Sequence, residues 1–220
     1  MATVNRISRL GFVNAYLVEE EDGLTVIDTM IAGSAGMIAA AAEGAPIRRI
    51  LLTHAHGDHI GSLDALAERV PDAEVIISAR ESRLLDKDKA LEPGEPVDKV
   101  RGGYPGAKTK PDRTVSAGDR VGSLEVIAAP GHTPGHVALL DTRDTTLYCG
   151  DAYSTLGGVA TSAKANWLFP LLYLATWHRP TALDSARSLR TLDPARLAPG
   201  HGKVVDSPAA AMDRAIAKAS

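Results

Sequence analysis

Apolar and β-branched residues alternate or run together over residues 12–19, 24–28, 49–53 and 74–78, the pattern of strands buried on one or both faces. The polar trio Glu21, Asp22 and Gly23 separates the first two runs and predicts a hairpin turn. Between the later runs the spacing becomes helical. Ser34 stands where it can cap an Ala-rich helix ending near Gly44, and 62–70 carries apolar residues at helical intervals. Residues 91–112 break the pattern with Pro, Gly and charge and predict a long connecting loop. Strands are expected again at 124–129, 136–141 and 145–149, helices at 164–177 and 181–192, a short strand at 196–198, and a terminal helix opened by Ser207 and Pro208. Two such halves predict an α/β (α+β) architecture layered helix, sheet, sheet, helix, folded as one domain over residues 1–220.

Composition narrows the partners. The net charge is −3 and no block of Lys or Arg stands out, so the chain offers no electrostatic footprint for nucleic acid or an anionic membrane. Cys149 is the single cysteine, which excludes an intrachain disulfide and predicts a reducing, cytoplasmic location. The first residues lack the basic start and continuous apolar core of a secretory signal. The most apolar stretch, "NWLFPLLYLATW" at 166–177, is far short of the roughly 20 residues that span a bilayer. The expected partner is therefore a small molecule, with monomer and homodimer both open.

Five of the seven histidines sit in glycine-bearing loops at strand ends. His54, His56 and His59 share "LLTHAHGDHIGS" with Asp58; His132 lies in "PGHTPGH" and His201 in "PGHG". Neutral imidazole and carboxylate are ligands for Zn, Fe, Mn or Co, and glycines let a loop turn sharply enough to aim them. A tight loop can send His54 and His56 to one ion and Asp58 and His59 to a neighbour, which predicts two divalent metal ions, zinc foremost.

The ordered set "THAHGDH", "PGHTPGH", "YCGDAY" and "APGHG", spanning residues 53–201, resembles the signature of the metallo-β-lactamase fold superfamily of hydrolases. The resemblance implies a four-layer αββα sandwich with the site at one edge of its two sheets. It also implies that His54, His56 and His132 hold one metal, that Asp58, His59 and His201 hold the other, and that Asp151 bridges them. A hydroxide formed from a water shared by the two ions would then be the nucleophile, since even one zinc can bring the pKa of water from 15.7 to roughly 7. Asp58 and Tyr153 are candidate catalytic residues, although Tyr153 stands one position before the tyrosine that the family's lactonases carry. Asp28, ending "LTVID", is expected to orient a metal ligand, and His136, opening a strand, is read as either a hydrogen-bonding neighbour of the site or plain structure. Trp167, Phe169, Tyr173, Trp177 and His178 are candidates for the substrate pocket wall, with plain core as the alternative. Cys149 is expected to be a buried strand residue.

Asp151 sets the chain apart from the zinc β-lactamases, which lack that carboxylate, and makes the ligand set similar to those of glyoxalase II and the dinuclear lactonases. Only 19 residues follow His201, where glyoxalase II carries a helical region that grips glutathione. The expected function is hydrolysis of an ester, lactone or thioester bond in a small molecule. The alternatives are an oxidoreductase resembling the mononuclear iron persulfide dioxygenases and a lactam-cleaving enzyme.

Overall fold

The computed structural model describes residues 4–220. The first half supplies β1 (Asn5–Arg9), β2 (Val13–Glu20), β3 (Gly23–Ile27), α1 (Ala35–Ala41), β4 (Ile47–Leu51), α2 (Gly57–Ile60), α3 (Leu63–Ala67), β5 (Glu74–Ser78), α4 (Ala79–Leu85) and β6 (Arg113–Val115). Its strands form one sheet in the order β1-β2-β3-β4-β5-β6, antiparallel up to β3 and parallel from β3 onward. The second half contains β7 (Arg120–Val121), β8 (Leu124–Ala128), β9 (Val137–Asp141), β10 (Thr146–Gly150), β11 (Tyr153–Ser154), β12 (Ala160–Thr161), α5 (Pro170–Ala175), α6 (Arg179–Thr191), β13 (Arg196–Pro199), β14 (Val205–Asp206) and α7 (Ala209–Ala219). A second sheet runs β14-β13-β10-β9-β8-β7, with β10 and β13 parallel, and β11 pairs with β12 apart from it.

Successive side chains of a strand point to opposite faces, and here both faces are covered. Ile50, Val75 and Ile77 face the helices α1, α3 and α4, whereas Leu51 and Ile76 face the second sheet. In that sheet Val126, Leu139, Tyr148 and Ala198 return the contact, while Ala138, Leu147, Cys149 and Leu197 face α6 and α7. The three apolar layers define a four-layer sandwich of helix, sheet, sheet and helix. On α6 the buried residues Ala182, Ser185, Ala186 and Leu189 recur at helical spacing and form the stripe that lies on the sheet.

Several elements depart from the sequence expectation. β1 has one buried residue, Ile7, in an otherwise polar edge strand, so it carries no apolar run to read. The charged segment of α4 forms a helix because the Ser78 side chain accepts from the Glu81 N–H at its start. The helix expected over 164–177 is confined to α5, because Pro170 occupies its first turn and begins the helix. The strand expected at 49–53 ends at Leu51, which leaves Leu52 and Thr53 to lead into the histidine loop. No helix among the described residues is long and apolar enough to cross a membrane.

Leu51 is fully buried between the sheets. Leu51→Ala is expected to lower unfolding free energy by about 2–5 kcal/mol, measured by urea denaturation; a loss below about 1 kcal/mol would show that the inter-sheet layer is not the packed core described.

Candidate metal centre

The histidine and aspartate loops leave the carboxyl ends of strands on both sheets. His54, His56, Asp58 and His59 follow β4, Asp151 follows β10, His201 follows β13, and His132 lies between β8 and β9. The two edges are tied together: the Asn14 side chain donates to the carbonyls of Pro199 at 2.9 Å and Gly202 at 2.7 Å, and Val137 N–H donates to the Thr53 carbonyl at 3.1 Å. Three clusters result, each with ligand atoms within 4.8 Å of one another: His54, His56 and His132; His54, His59 and Asp151; Asp58, His59 and His201. Asp151 reaches both sides. Its Oδ2 lies 3.3 Å from His132 Nε2 and 3.3 Å from His201 Nε2, and its Oδ1 lies 3.3 Å from His59 Nε2.

The outer nitrogen of each ring decides what the inner one can do. The Thr53 hydroxyl donates to Asp28 Oδ2 at 2.8 Å and therefore accepts from His54 Nδ1 at 3.0 Å. His59 Nδ1 donates to the same Asp28 oxygen at 2.8 Å. His132 Nδ1 meets the Thr176 hydroxyl at 3.0 Å, whose own proton goes to the Leu172 carbonyl at 2.8 Å. His201 Nδ1 donates to the Phe12 carbonyl at 3.2 Å, and His56 uses Nε2 instead, donating to the Arg101 carbonyl at 3.1 Å. Five rings thus spend one N–H outward and aim the other nitrogen inward, Nδ1 for His56 and Nε2 for the others, where it offers a lone pair once the ring is neutral.

These residues fit a metal. His54 Nε2 is buried with no hydrogen-bond partner among the described residues, and His59 Nε2 and Asp151 Oδ1, likewise buried, face each other at 3.3 Å without forming a hydrogen bond, an expensive arrangement for groups meant only to stabilise the fold. Burial disfavours charge on every ring. It prevails at His54 and His132, whose pKa values are pushed well below the usual imidazole range, and lowers His56 in the same way. Burial is overcome at His59 by Asp151 and Asp28, and at His201 by Asp151 and Asp58, which push His201 up to about 9. Burial also opposes the charge of Asp58 and Asp151, yet the facing His201 and His59 hold both carboxyls below the usual range. One half of the centre is a neutral imidazole cluster and the other is an imidazole–carboxylate cluster.

The supporting expectations divide. Asp28 orients two rings, His59 directly and His54 through Thr53. His136 accepts the Asp151 N–H at 2.9 Å through Nε2 and so positions that carboxylate's backbone. Gly150 makes room for it: its φ is +48°, and a Cβ there would lie 2.5 Å from His136 Nε2. Tyr153 requires correction, because its hydroxyl donates to the Ala186 carbonyl at 2.7 Å inside the core under α6, away from the metal cluster. Cys149 is buried in that same core.

Of the five expected pocket residues only Phe169 lines the cavity over the centre. Trp167 is 93% exposed because it precedes Pro170 and lies outside the helix. Tyr173 carries the Arg179 guanidinium on its ring at 3.9 Å. Trp177 is core, with its indole N–H donating to the Asp98 carbonyl at 3.0 Å, and His178 caps α6 by accepting from Thr181 N–H. The wall is instead Phe12, Phe169, Leu171, Leu172 and Ala175. Phe12 stacks on His201 at 6.2 Å between centroids and Phe169 approaches the same ring at 4.8 Å. The 91–112 loop is more than a linker, since its Arg101 carbonyl holds His56 and any side chain at Gly102 would collide with that ring.

Two outcomes check this geometry. Metal-loaded protein is expected to hold about two transition-metal ions per chain by elemental analysis, falling to about one in Asp58→Ala and to fewer in Asp151→Ala, while Cys149→Ala and His178→Ala stay near wild type; normal occupancy in Asp151→Ala would contradict the shared position of that residue. The second outcome concerns protons. Below about pH 9 the metal-free chain carries His201 as an imidazolium, which must lose its proton to ligate. Calorimetric titration in buffers of different ionisation heat should show proton release on metal binding falling by about one between pH 7 and pH 10, and a release independent of pH would contradict the charge assignment.

The fold and the site agree with known proteins. The model of the metallo-beta-lactamase superfamily matches residues 8–201. Protein YobT of Bacillus subtilis (strain 168) is 48% identical over 210 residues, 94% of this chain and 90% of its own length. The hydroxyacylglutathione hydrolase of Acidiphilium cryptum (strain JF-5) is 32% identical over 155 residues, 70% of this chain but 55% of that relative. Among solved structures, TTHA1623 in a di-iron-bound form superposes with a TM-score of 0.67 at 26% identity, covering 94% of this chain and 96% of that one. The αββα sandwich, the order of its ligand loops and these matches together make the chain a member of the metallo-beta-lactamase superfamily.

Proposed function

We propose that this chain is a dinuclear metal-dependent hydrolase of small molecules, acting on an ester, lactone or thioester bond whose acyl side is apolar. The observation that carries the reading is Asp151, buried between two ligand clusters with an oxygen 3.3 Å from imidazoles of each. His54, His56 and His132 would hold one cation and Asp58, His59 and His201 the other, with Asp151 facing both. When bound, two divalent cations supply acidification of a water and polarisation of a carbonyl. The di-iron form of TTHA1623 makes iron as well as zinc a metal to test.

The chain's own residues supply binding and the exclusion of water. The cavity over the centre has a volume of about 100 Å³, below the roughly 300–1,000 Å³ of sites that enclose a whole ligand, so only the reacting end of a substrate is enclosed. No Lys or Arg is among the described residues lining it, whereas Phe12, Phe169 and Leu172 are, which favours an uncharged apolar group over an anionic one. Leu171, 62% exposed, continues this wall to the surface where the rest of a substrate would lie. The relative named hydroxyacylglutathione hydrolase adds support for thioesters; the apolar wall supports acyl chains.

A panel of lactones, thioesters, aryl esters and phosphodiesters, run on protein of measured metal content, tests the reading. Turnover is expected with acyl substrates and not with phosphodiesters. Phe169→Ala should reduce kcat/KM by about 10- to 200-fold for long or aromatic acyl groups and less for acetyl groups, with Trp167→Ala unchanged. Equal losses across acyl length, or a larger effect from Trp167→Ala, would place specificity elsewhere. A metal-replete protein with no acyl hydrolysis would overturn the proposed reaction.

A further inference from the structure

Glu81 sits in the first turn of α4 and is fully buried. A carboxylate is stable in such a place only if its lone pairs are met. Three donors meet them: Ala55 N–H reaches Oε2 at 2.8 Å, while Gly135 N–H at 2.8 Å and the Thr133 hydroxyl at 2.6 Å reach Oε1. All three partners donate, so the group is held as a carboxylate even though burial pushes its pKa up. The neighbouring Arg80 is engaged elsewhere, by Glu95 at 2.6 and 3.0 Å.

The identity of the donors gives these bonds their meaning. Ala55 lies between His54 and His56, on the loop that leaves the first sheet. Thr133 and Gly135 follow His132, on the loop between β8 and β9 of the second sheet. One carboxylate therefore joins the two loops that carry the three-imidazole cluster. Ser78 makes a second tie beside it, donating to the Gly135 carbonyl at 2.7 Å. The approach is close enough to require glycine: a Cβ at Gly135 would lie 2.6 Å from Arg80 Cβ and 2.8 Å from the Glu81 nitrogen. None of Glu81's hydrogen bonds runs to the Asp58, His59 and His201 cluster.

We propose that Glu81 is a positioning residue that locks the His54–His56 loop to the His132 loop and so presets the three-imidazole site across the two sheets. This rests on the reading of that cluster as a metal site. The lock acts before a cation arrives and chiefly on that site, because His59 and His201 of the other cluster are held by Asp28 and the Phe12 carbonyl.

Zinc and Co(II) titrations of the whole chain against a chromophoric chelator test it, using wild type, Glu81→Gln and Thr133→Val, with circular dichroism and melting of the metal-free proteins alongside. Glutamine has the same size but must turn its NH₂ toward at least one of the three donors. The expected result is a loss of about 10- to 100-fold in affinity at one site, with the other within about twofold, and a Co(II) spectrum changed only for the weakened site. Thr133→Val should weaken the same site by about 2- to 10-fold, and it decides the matter alone if Glu81→Gln does not fold. Two unchanged affinities, or equal losses at both sites in step with melting temperature, would overturn the positioning role while leaving the metal centre intact. A wild-type chain that binds no cation would overturn the metal reading and this proposal with it.

Discussion

The centre depends on where five imidazole N–H groups go. Each is spent on an acceptor outside the cluster: a threonine hydroxyl for His54 and His132, the Asp28 carboxylate for His59, and backbone carbonyls for His56 and His201. Had any ring turned its proton inward, that position would present a donor where the cluster needs a lone pair. Apart from Thr53, which adjoins His54, the acceptors come from distant parts of the chain, so the fold as a whole sets the tautomers. Thr53 passes the orientation of His54 to Asp28, and Thr176, at the end of α5, links His132 to the pocket wall.

From this follows an electrostatic division. At His54, His56 and His132 burial outweighs the pull of Asp151 and the rings stay neutral, whereas Asp151 with Asp28 holds charge on His59, and Asp151 with Asp58 holds it on His201. The two halves differ in what a cation displaces, imidazolium protons on one side and none on the other. Asp151 stands between them because β10 ends in Gly150, whose left-handed turn aims the next residue inward while His136 holds its backbone.

The sequence made the ligands legible because they are short-range motifs at strand ends: "THAHGDH" places four of them within six residues, and the remaining loops carry the glycines their turns require. The alternation of strand and helix was legible for the same local reason, and the family resemblance supplied the convergence of four distant loops. What the sequence hid was long-range. Phe12 reads as the start of a strand, yet its ring stacks on His201, which lies 189 positions away. Arg101 and Thr176 act through a carbonyl and a hydroxyl on segments whose pattern suggests only a loop and a helix end. Glu81 lies in a charged stretch that looks solvated. The aromatic run 166–177 misled because composition does not say which way a ring faces: Pro170 begins α5, leaving Trp167 in solvent, Trp177 in the core and Phe169 over the centre. Tyr153 looked catalytic from its place near Asp151, and its hydroxyl proved committed to the Ala186 carbonyl.

The account's central claim is that outward N–H bonds fix which nitrogen of five imidazoles faces inward around a shared carboxylate. The most direct measurement is a crystal structure of the metal-loaded chain with anomalous scattering at the metal edge. Two anomalous peaks are expected, both coordinated by Asp151, with His56 bound through Nδ1 and His54, His59, His132 and His201 through Nε2. A single peak, Asp151 outside both coordination spheres, or His56 bound through Nε2 would contradict it.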